Sequence, residues 1–286
     1  MKYSFIAQQR GRWPISWMCS ALNVTRRGYY AWRSRGRNQR TLADTLLTAQ
    51  LRLLFANRKG AYGSPRLRAE LRGIGIACSR KRVARLMNRA GLSALLRPRR
   101  VKTTQPDPAA EPAPNLLDRR FAPGTVAAWV ADVTYLRTGQ GWLYLAVVMN
   151  LYSRRILSYS FSLSCNSALC LAALNKALAR QRPQPGTLHH SDRGSTYTAG
   201  DYQQALRDNL LVASMSATGD CYDNAVMESW FNSLKREAFQ RRTPGTRAQA
   251  RVQVTAFIED YNRSRFHSSL DGVSPERFEE LHPVLN

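Results

Sequence analysis

The chain has 286 residues, 43 of them Lys or Arg against 19 Asp or Glu, for a formal net charge of +24. Its length suggests two domains. An apolar content of 44% is enough for packed cores, which makes free disorder, collagen or a disulfide scaffold poor readings of the composition. The charge is confined to one half. Residues 1–100 carry 23 Lys or Arg and only two acids, Asp44 and Glu70, a net of +21, whereas residues 101–286 carry 20 cations and 17 acids, a net of +3. A segment with that excess repels itself unless a polyanion is near, and nucleic acid fits better than a membrane. A membrane partner calls for an amphipathic basic helix with a broad apolar face or a lipid site, neither of which is evident.

In chain order, helices come first. Residues 15–32 read as helix, turn and short basic helix, with a turn at Asn23-Val24 and Thr25 as cap. Residues 41–58 form one amphipathic helix. Ser64-Pro65 opens the next, with Leu67 and Leu71 on one face and Gly73 and Gly75 ending it. Ser79 then caps a helix running to about Ala90 and stopped by Gly91. Its Val83, Leu86, Met87 and Ala90 make an apolar stripe, while Arg80, Lys81, Arg82, Arg85 and Arg89 cover much of the rest. Helix, short turn and basic helix fit a helix-turn-helix, so Arg80, Lys81, Arg82 and Arg85 are candidate DNA contacts.

Six of the 13 prolines lie between Pro98 and Pro123, and 102–115 (KTTQPDPAAEPAPN) has almost no apolar periodicity. This reads as an extended linker at the main boundary. Beyond it, 126–136, 141–151 and 154–162 are rich in β-branched and aromatic residues and read as three hairpin strands. A helix over 167–182, a short strand at 187–190, a helix near 200–209, a short strand near 210–215 and helices over 222–238 and 247–261 follow. That order predicts a mixed α/β sheet with helices on its faces. The five cysteines (Cys19, Cys78, Cys165, Cys170 and Cys221) form no Cys-x-x-Cys pair and read as small buried apolar residues. An odd count and no signal peptide point to a reducing cytoplasm. The longest clean apolar run, 143–149, is too short to cross a bilayer.

Three acids stand out. Asp132 sits mid-strand among Val130, Val133 and Tyr135, where a carboxylate is costly unless paired or bound to a cation. Asp192 ends the strand Leu188-His189-His190-Ser191, before a Gly194 that lets the backbone turn. Glu228 lies on the helix YDNAVMESWFNSLKREA, with Asn224 one turn before it and Lys235 seven residues after, about 20° away around the helix. Singly each has an ordinary reading, as a turn aspartate or a solvated face. Together they are hard oxygen donors suited to Mg²⁺. Two such ions would serve an in-line displacement at phosphorus.

At these residues the chain resembles the catalytic subunit of bacterial insertion-sequence transposases of the retroviral-integrase-like (DDE) class. It is most like the branch in which that subunit is encoded by the second of two overlapping frames. The stretches carrying the match are YGSPRLRAELRGIGIACSRKRVARLMNRAGL (62–92), WVADVTYL (129–136), HSDRGSTY (190–197), SMSATGDCYDNAVMESWFNSLKRE (214–237) and YNRSRFHSSLDGVSPERFE (261–279). The last Asp and the Glu are separated by 35 residues (193–227), the spacing characteristic of the class.

The resemblance implies an RNase H-like fold over 124–238, preceded by helical DNA-binding regions at 1–58 and 59–97 and the linker at 98–123, and followed by a helical extension at 239–286. It implies Asp132, Asp192 and Glu228 as catalytic and metal-binding residues for Mg²⁺ or Mn²⁺, two ions in all, with Lys235 holding DNA near the site. Asn224, His190 and Tyr197 lie in matched motifs and are candidates for supporting that site. The implied chemistry is hydrolytic nicking at the element's 3′ ends and then transesterification by the freed 3′-hydroxyl, with no covalent protein–DNA link. The implied partners are double-stranded element ends and target DNA, further copies of the chain assembled on DNA, and a first-frame protein, fused or separate. No zipper heptads of the kind that first frame supplies are present. A nuclease or resolvase without strand transfer, and a non-enzymatic DNA-binding regulator, are the alternatives.

Overall fold

The computed structural model describes residues 1–34, 39–94, 113–123, 127–216, 224–239 and 242–283. Three short helices open the chain: α1 (Lys2–Gln8), α2 (Ile15–Ala21) and α3 (Arg26–Ser34). They share a small core of Ile6, Met18, Cys19 and Tyr29, with Tyr3, Ile15, Leu22 and Val24 around it. The next three, α4 (Gln39–Asn57), α5 (Ser64–Gly73) and α6 (Arg80–Arg89), share another, built from Leu47, Leu51, Tyr62, Leu67, Leu71, Val83, Leu86 and Met87. The expected boundary at 58/59 therefore falls inside a packed unit. The long helix α4 supplies Leu47 and Leu51 as the floor on which the α5–α6 pair closes, because neither short helix can bury its stripe alone. Ser79 caps α6 as anticipated, its hydroxyl accepting from the Arg82 amide at 3.2 Å.

The second half is built on five strands: β1 (Ala128–Thr138), β2 (Gly141–Asn150), β3 (Ile156–Ser162), β4 (Leu188–Ser191) and β5 (Val212–Met215), in the order β3-β2-β1-β4-β5. The first three are antiparallel hairpins, and β4 and β5 run parallel to β1. One face is covered by α7 (Ser167–Arg180) and α9 (Gly200–Asp208), with the one-turn α8 (Ser195–Thr198) before the latter. Trp129, Ala131, Ala146 and Val148 point to that side. The other face is covered by α10 (Ala225–Glu237) and α11 (Arg247–Arg263), onto which Val130, Leu136, Leu145, Val147 and Met149 point. The alternation follows the two-residue period of a strand. A 3₁₀ turn at Ser268–Leu270 and α12 (Pro275–Leu281) end the described chain. Among the described residues no helix is long and apolar enough to cross a membrane.

Three expectations change. Most of the 98–123 linker (98–112, and residue 124 just beyond it) lies outside the described residues, but 113–123 is not a free linker. Leu117 is fully buried in the sheet core, and the amides of Leu116 and Leu117 donate to Ser214 Oγ at 3.0 and 3.1 Å. One buried leucine, Leu117, with the two amide bonds to Ser214 anchors this Pro-rich stretch, while Leu116 stays exposed. Next, α11 is no appendage, because Ala250, Val254, Phe257, Ile258 and Tyr261 belong to the same core as β1, β2 and α10. Finally, Cys165 is exposed, whereas Cys19 and Cys170 are buried, and all four described cysteines are free. Cys221 lies outside the described residues.

The halves are joined by ion pairs. Just past α4, Arg58 reaches Glu70 at 2.6 Å and Asp260 of α11 at 2.9 Å. At the end of α10, Glu237 receives Arg265 at 2.5 and 2.8 Å, Arg236 at 2.8 Å and, across the junction, Arg66 of α5 at 3.5 Å.

Candidate active site

The β1–β4 ladder sets the site. Its pairs run Ala128↔Leu188, Trp129↔His189 and Val130↔His190, and then the pairing stops. Asp132 and Asp192 are the residues two positions further along that same register, so both carboxylates leave the sheet on the side of Val130. That is the face covered by α10, which carries Glu228 in its first turn. A parallel sheet whose strands part at their carboxyl ends leaves a crevice there. The first turn of a helix also favours an acidic side chain, through the partial positive charge of its N-terminus.

Burial raises the Asp132 pKa well above the ordinary carboxylate value, and the charges of Asp192 and Glu228 add to the rise. The Val133 amide donates to its Oδ1 at 2.7 Å, and Lys235 is near enough to pull the pKa back down. Asp192 is also raised by burial, against the 3.0 Å hydrogen bond it accepts from the Gly194 amide. Gly194 leaves room for this carboxylate, since a Cβ there would lie 3.0 Å from Asp192 Oδ1 and press on it. Lys235, on an exposed part of α10, has its pKa lowered by desolvation while Asp132 opposes the shift. Asp132, Asp192, Glu228 and Lys235 are thus electrostatic neighbours, although among the described residues no group of three or more His, Cys, Asp or Glu is arranged to hold a metal ion. The donor set nevertheless fits a hard divalent cation. It consists of carboxylates alone, brought to one face, with Asp132 desolvated beside the like charges of Asp192 and Glu228, which outweigh the nearby Lys235.

The supporting candidates divide. His190 is fully buried, its Nδ1 2.9 Å from Ser214 Oγ and its Nε2 3.2 Å from Ser216 Oγ, so it ties β4 to β5. Tyr197 belongs to the core on the opposite face of the sheet, edge-on to Tyr202 at 5.3 Å. Asn224 precedes α10, is buried, and has no hydrogen-bond partner for its amide among the described residues. Residues 217–223, just before it, lie outside those described. Two residues that sequence reasoning did not single out lie within electrostatic reach of Asp132 and Asp192: Tyr135 on β1 and Cys165 before α7. Neither carries a local signal, because the first reads as a strand aromatic and the second as a core cysteine.

In the helical half, Arg80 and Lys81 are exposed at the start of α6. Arg82 and Arg85 instead grip Asp44 of α4, Nε to Oδ1 at 2.8 Å and Nη2 to Oδ2 at 2.7 Å. One of the only two acids in residues 1–100 is thus a brace that holds α6 on α4.

Sheet, helices and acids together define a helix-turn-helix-like module joined to an integrase-type catalytic core. Family models agree: "Integrase core domain" matches residues 123–221 and again 211–275, and "HTH-like domain" matches 41–100. The chain is 40% identical, over 98% of its own length and 98% of the relative's, to transposase InsF of insertion sequence IS3A from Escherichia coli (strain K12). It is 38% identical, over 93% and 98%, to the insertion element IS600 31 kDa protein of Shigella sonnei. The chain belongs to this insertion-sequence transposase family. Among solved structures it is similar to a chain of the simian T-cell lymphotropic virus intasome, at TM-score 0.49 and 13% identity over 77% of this chain and 72% of that one. It is also similar to the HTLV-2 integrase catalytic core domain, at TM-score 0.43 and 14% identity over 55% and 96%.

Proposed function

We propose that this chain is a polynucleotidyl transferase that processes and joins the ends of an insertion sequence. The observation carrying this reading is the shared register of Asp132 and Asp192 on the face covered by α10. In the first step water attacks the phosphorus at an element end, the bond to the element's 3′ oxygen breaks, and the flank keeps the 5′-phosphate. In the second step the freed 3′-hydroxyl attacks a target phosphodiester and displaces the target's own 3′ oxygen. Each step is one in-line displacement, so bonds formed and broken balance without an oxidant or a nucleotide triphosphate. Asp132, Asp192 and Glu228 would hold Mg²⁺ or Mn²⁺, in two sites, and such ions supply Lewis-acid activation of the nucleophile and stabilise the leaving oxygen.

The chain's own groups do the rest. Asp132 and Asp192 fix the position of the negative cluster on a rigid sheet. Lys235 presents an ammonium to DNA passing the site. In the basic half, Arg80 and Lys81 contact phosphates, and Arg82 and Arg85 fix the orientation of α6 through Asp44. Functionally, residues 1–97 bind DNA, the sheet with α10 and α11 performs the chemistry, and several copies assemble to bring two ends and a target together. A first-frame protein, fused or separate, supplies further end recognition. The protein acts in the bacterial cytoplasm, on the nucleoid.

The test supplies a pre-nicked element end, target DNA and Mg²⁺. Joined products that disappear in Asp132→Asn, Asp192→Asn and Glu228→Gln, with DNA binding retained, support the reading. Hydrolysis without joining makes the protein a nuclease. Full function in all three variants makes it a DNA-binding regulator.

A further inference from the structure

The first three helices leave aromatic rings outside their core. Ile6, Met18, Cys19 and Tyr29 fill the interior, yet Trp13 is 59% exposed, Trp17 68% and Tyr30 50%. An open groove of about 660 Å³ runs between the α1–α2 connection and α3, lined by Arg10, Trp13, Pro14, Ile15, Ser16, Arg26 and Tyr30. Residues 1–34 contain Lys2, Arg10, Arg12, Arg26, Arg27 and Arg33 and no acid at all. A surface that combines large exposed rings with uncompensated cations is complementary to a ligand with both flat π-faces and negative charge.

Duplex DNA meets only half of that description. Its phosphates are accessible, but each base face is covered by the next base pair, so tryptophan rings gain nothing in a groove except edges. Unpaired nucleotides offer the faces as well, and stacking on an aromatic side chain tolerates any base. Arg10 and Arg26 line the same groove as Trp13 and Tyr30, so cations share one surface with the exposed rings.

We propose that the groove of Arg10, Trp13, Arg26 and Tyr30 is a binding site for unpaired nucleotides, with the two rings as stacking faces and the two guanidiniums as phosphate contacts. The inference rests on the reading of the chain as a DNA-processing protein and adds a strand class that the helix-turn-helix pattern does not supply. Both arise naturally where DNA ends are opened, because a frayed end presents single-stranded bases beside a duplex.

The experiment measures fluorescence anisotropy of two labelled probes with the full-length chain: a single-stranded oligothymidine of about 12 nucleotides and a blunt-ended hairpin duplex. Trp13→Ala and Tyr30→Ala should each weaken oligothymidine binding about tenfold, in keeping with the stacking energy of one base, with less than a twofold change on the duplex. Trp13→Phe should recover most of the loss, and circular dichroism should be unchanged, since both rings are on the surface. Equal losses on both probes would overturn the proposal in favour of a duplex-reading surface. Unchanged binding together with a smaller assembly in sedimentation would overturn it in favour of a contact between protein chains. Asp132→Asn leaves this binding intact while removing strand transfer, so failure here is separable from failure of the catalytic reading.

Discussion

Asp132 on β1 and Asp192 beyond β4 occupy matching positions of one parallel register, two residues past the last ladder pair Val130↔His190. Asp132 is thus placed by the sheet, and Asp192, the first residue past the end of β4, by the same register. Where the strands part, the charge of Asp192 repels that of Asp132 and helps to raise its pKa.

That repulsion is measurable. Because burial and Asp192 raise the Asp132 pKa, the folded state holds its proton more tightly than the unfolded chain does. Stability then falls as pH rises from the ordinary carboxylate range through the raised value. Asp132→Asn should raise the Tm of the metal-free protein at pH 8 by about 3 °C, and added Mg²⁺ should stabilise the wild type but not the variant. Strand transfer by the variant should drop about a thousandfold, equivalent to about 4 kcal/mol. Differential scanning fluorimetry and a joining assay check the two halves, and a lower Tm in the variant would contradict the first.

Lys235 follows Glu228 by two turns and lies within the field of Asp132. Lys235→Ala should raise the DNA concentration needed for half-maximal joining about tenfold, near the worth of one charge-assisted contact, with protection lost beside the cleavage point and kept over the distal end sequence. Footprints identical to wild type would remove the role.

Glu237 is the junction between the two halves. Burial alone would raise its carboxyl pKa, but the hydrogen bonds and charge of Arg265, with Arg236 and Arg66, outweigh burial and hold it below the usual range. It therefore contributes stability above about pH 4.3, and that contribution disappears as acid protonates it. Glu237→Gln should cost about 3 kcal/mol at pH 7 by leaving Arg265 buried without its counter-charge, and the gap to wild type should close in acid. Urea denaturation at pH 7 and pH 3.5 measures both.

His189 is fully buried between sheet and α9, its Nε2 3.1 Å from the Tyr202 hydroxyl. Desolvation lowers its pKa to about 4, so it stays neutral in the folded state where the unfolded chain would protonate. Stability should fall by about 1.4 kcal/mol per pH unit between pH 6.5 and the folded value. His189→Gln should flatten that slope, and an unaltered slope would assign it to other groups.

At the β1–β2 turn, Gly139 meets Gly245 before α11. The Gly139 amide donates to the Pro244 carbonyl at 2.8 Å, and a Cβ on Gly139 would lie 2.5 Å from the Gly245 carbonyl oxygen. Gly139→Ala should therefore destabilise by about 1–3 kcal/mol, whereas Gly73→Ala, where nothing approaches, should be neutral or mildly stabilising.

By itself the sequence determined what is local and periodic. Alternating β-branched and aromatic residues set β1 to β3, the Ser79 cap and glycine stops framed α6, and the spacing of Asp132, Asp192 and Glu228 marked three acids worth following. It did not show that Leu117 anchors a Pro-rich stretch, that α11 closes the core, that Asp44 holds Arg82 and Arg85, or that Glu237 meets Arg265. Those pairings join residues 28 to almost 100 positions apart or more, as with Leu117 and Ser214. Only tertiary structure decides them, because an isolated side chain's polarity says nothing about which distant partner will share its loss of water. The same rule divides the acids: the strand pattern placed Asp132 on a buried face, but the fold alone put Asp192 and α10 beside it.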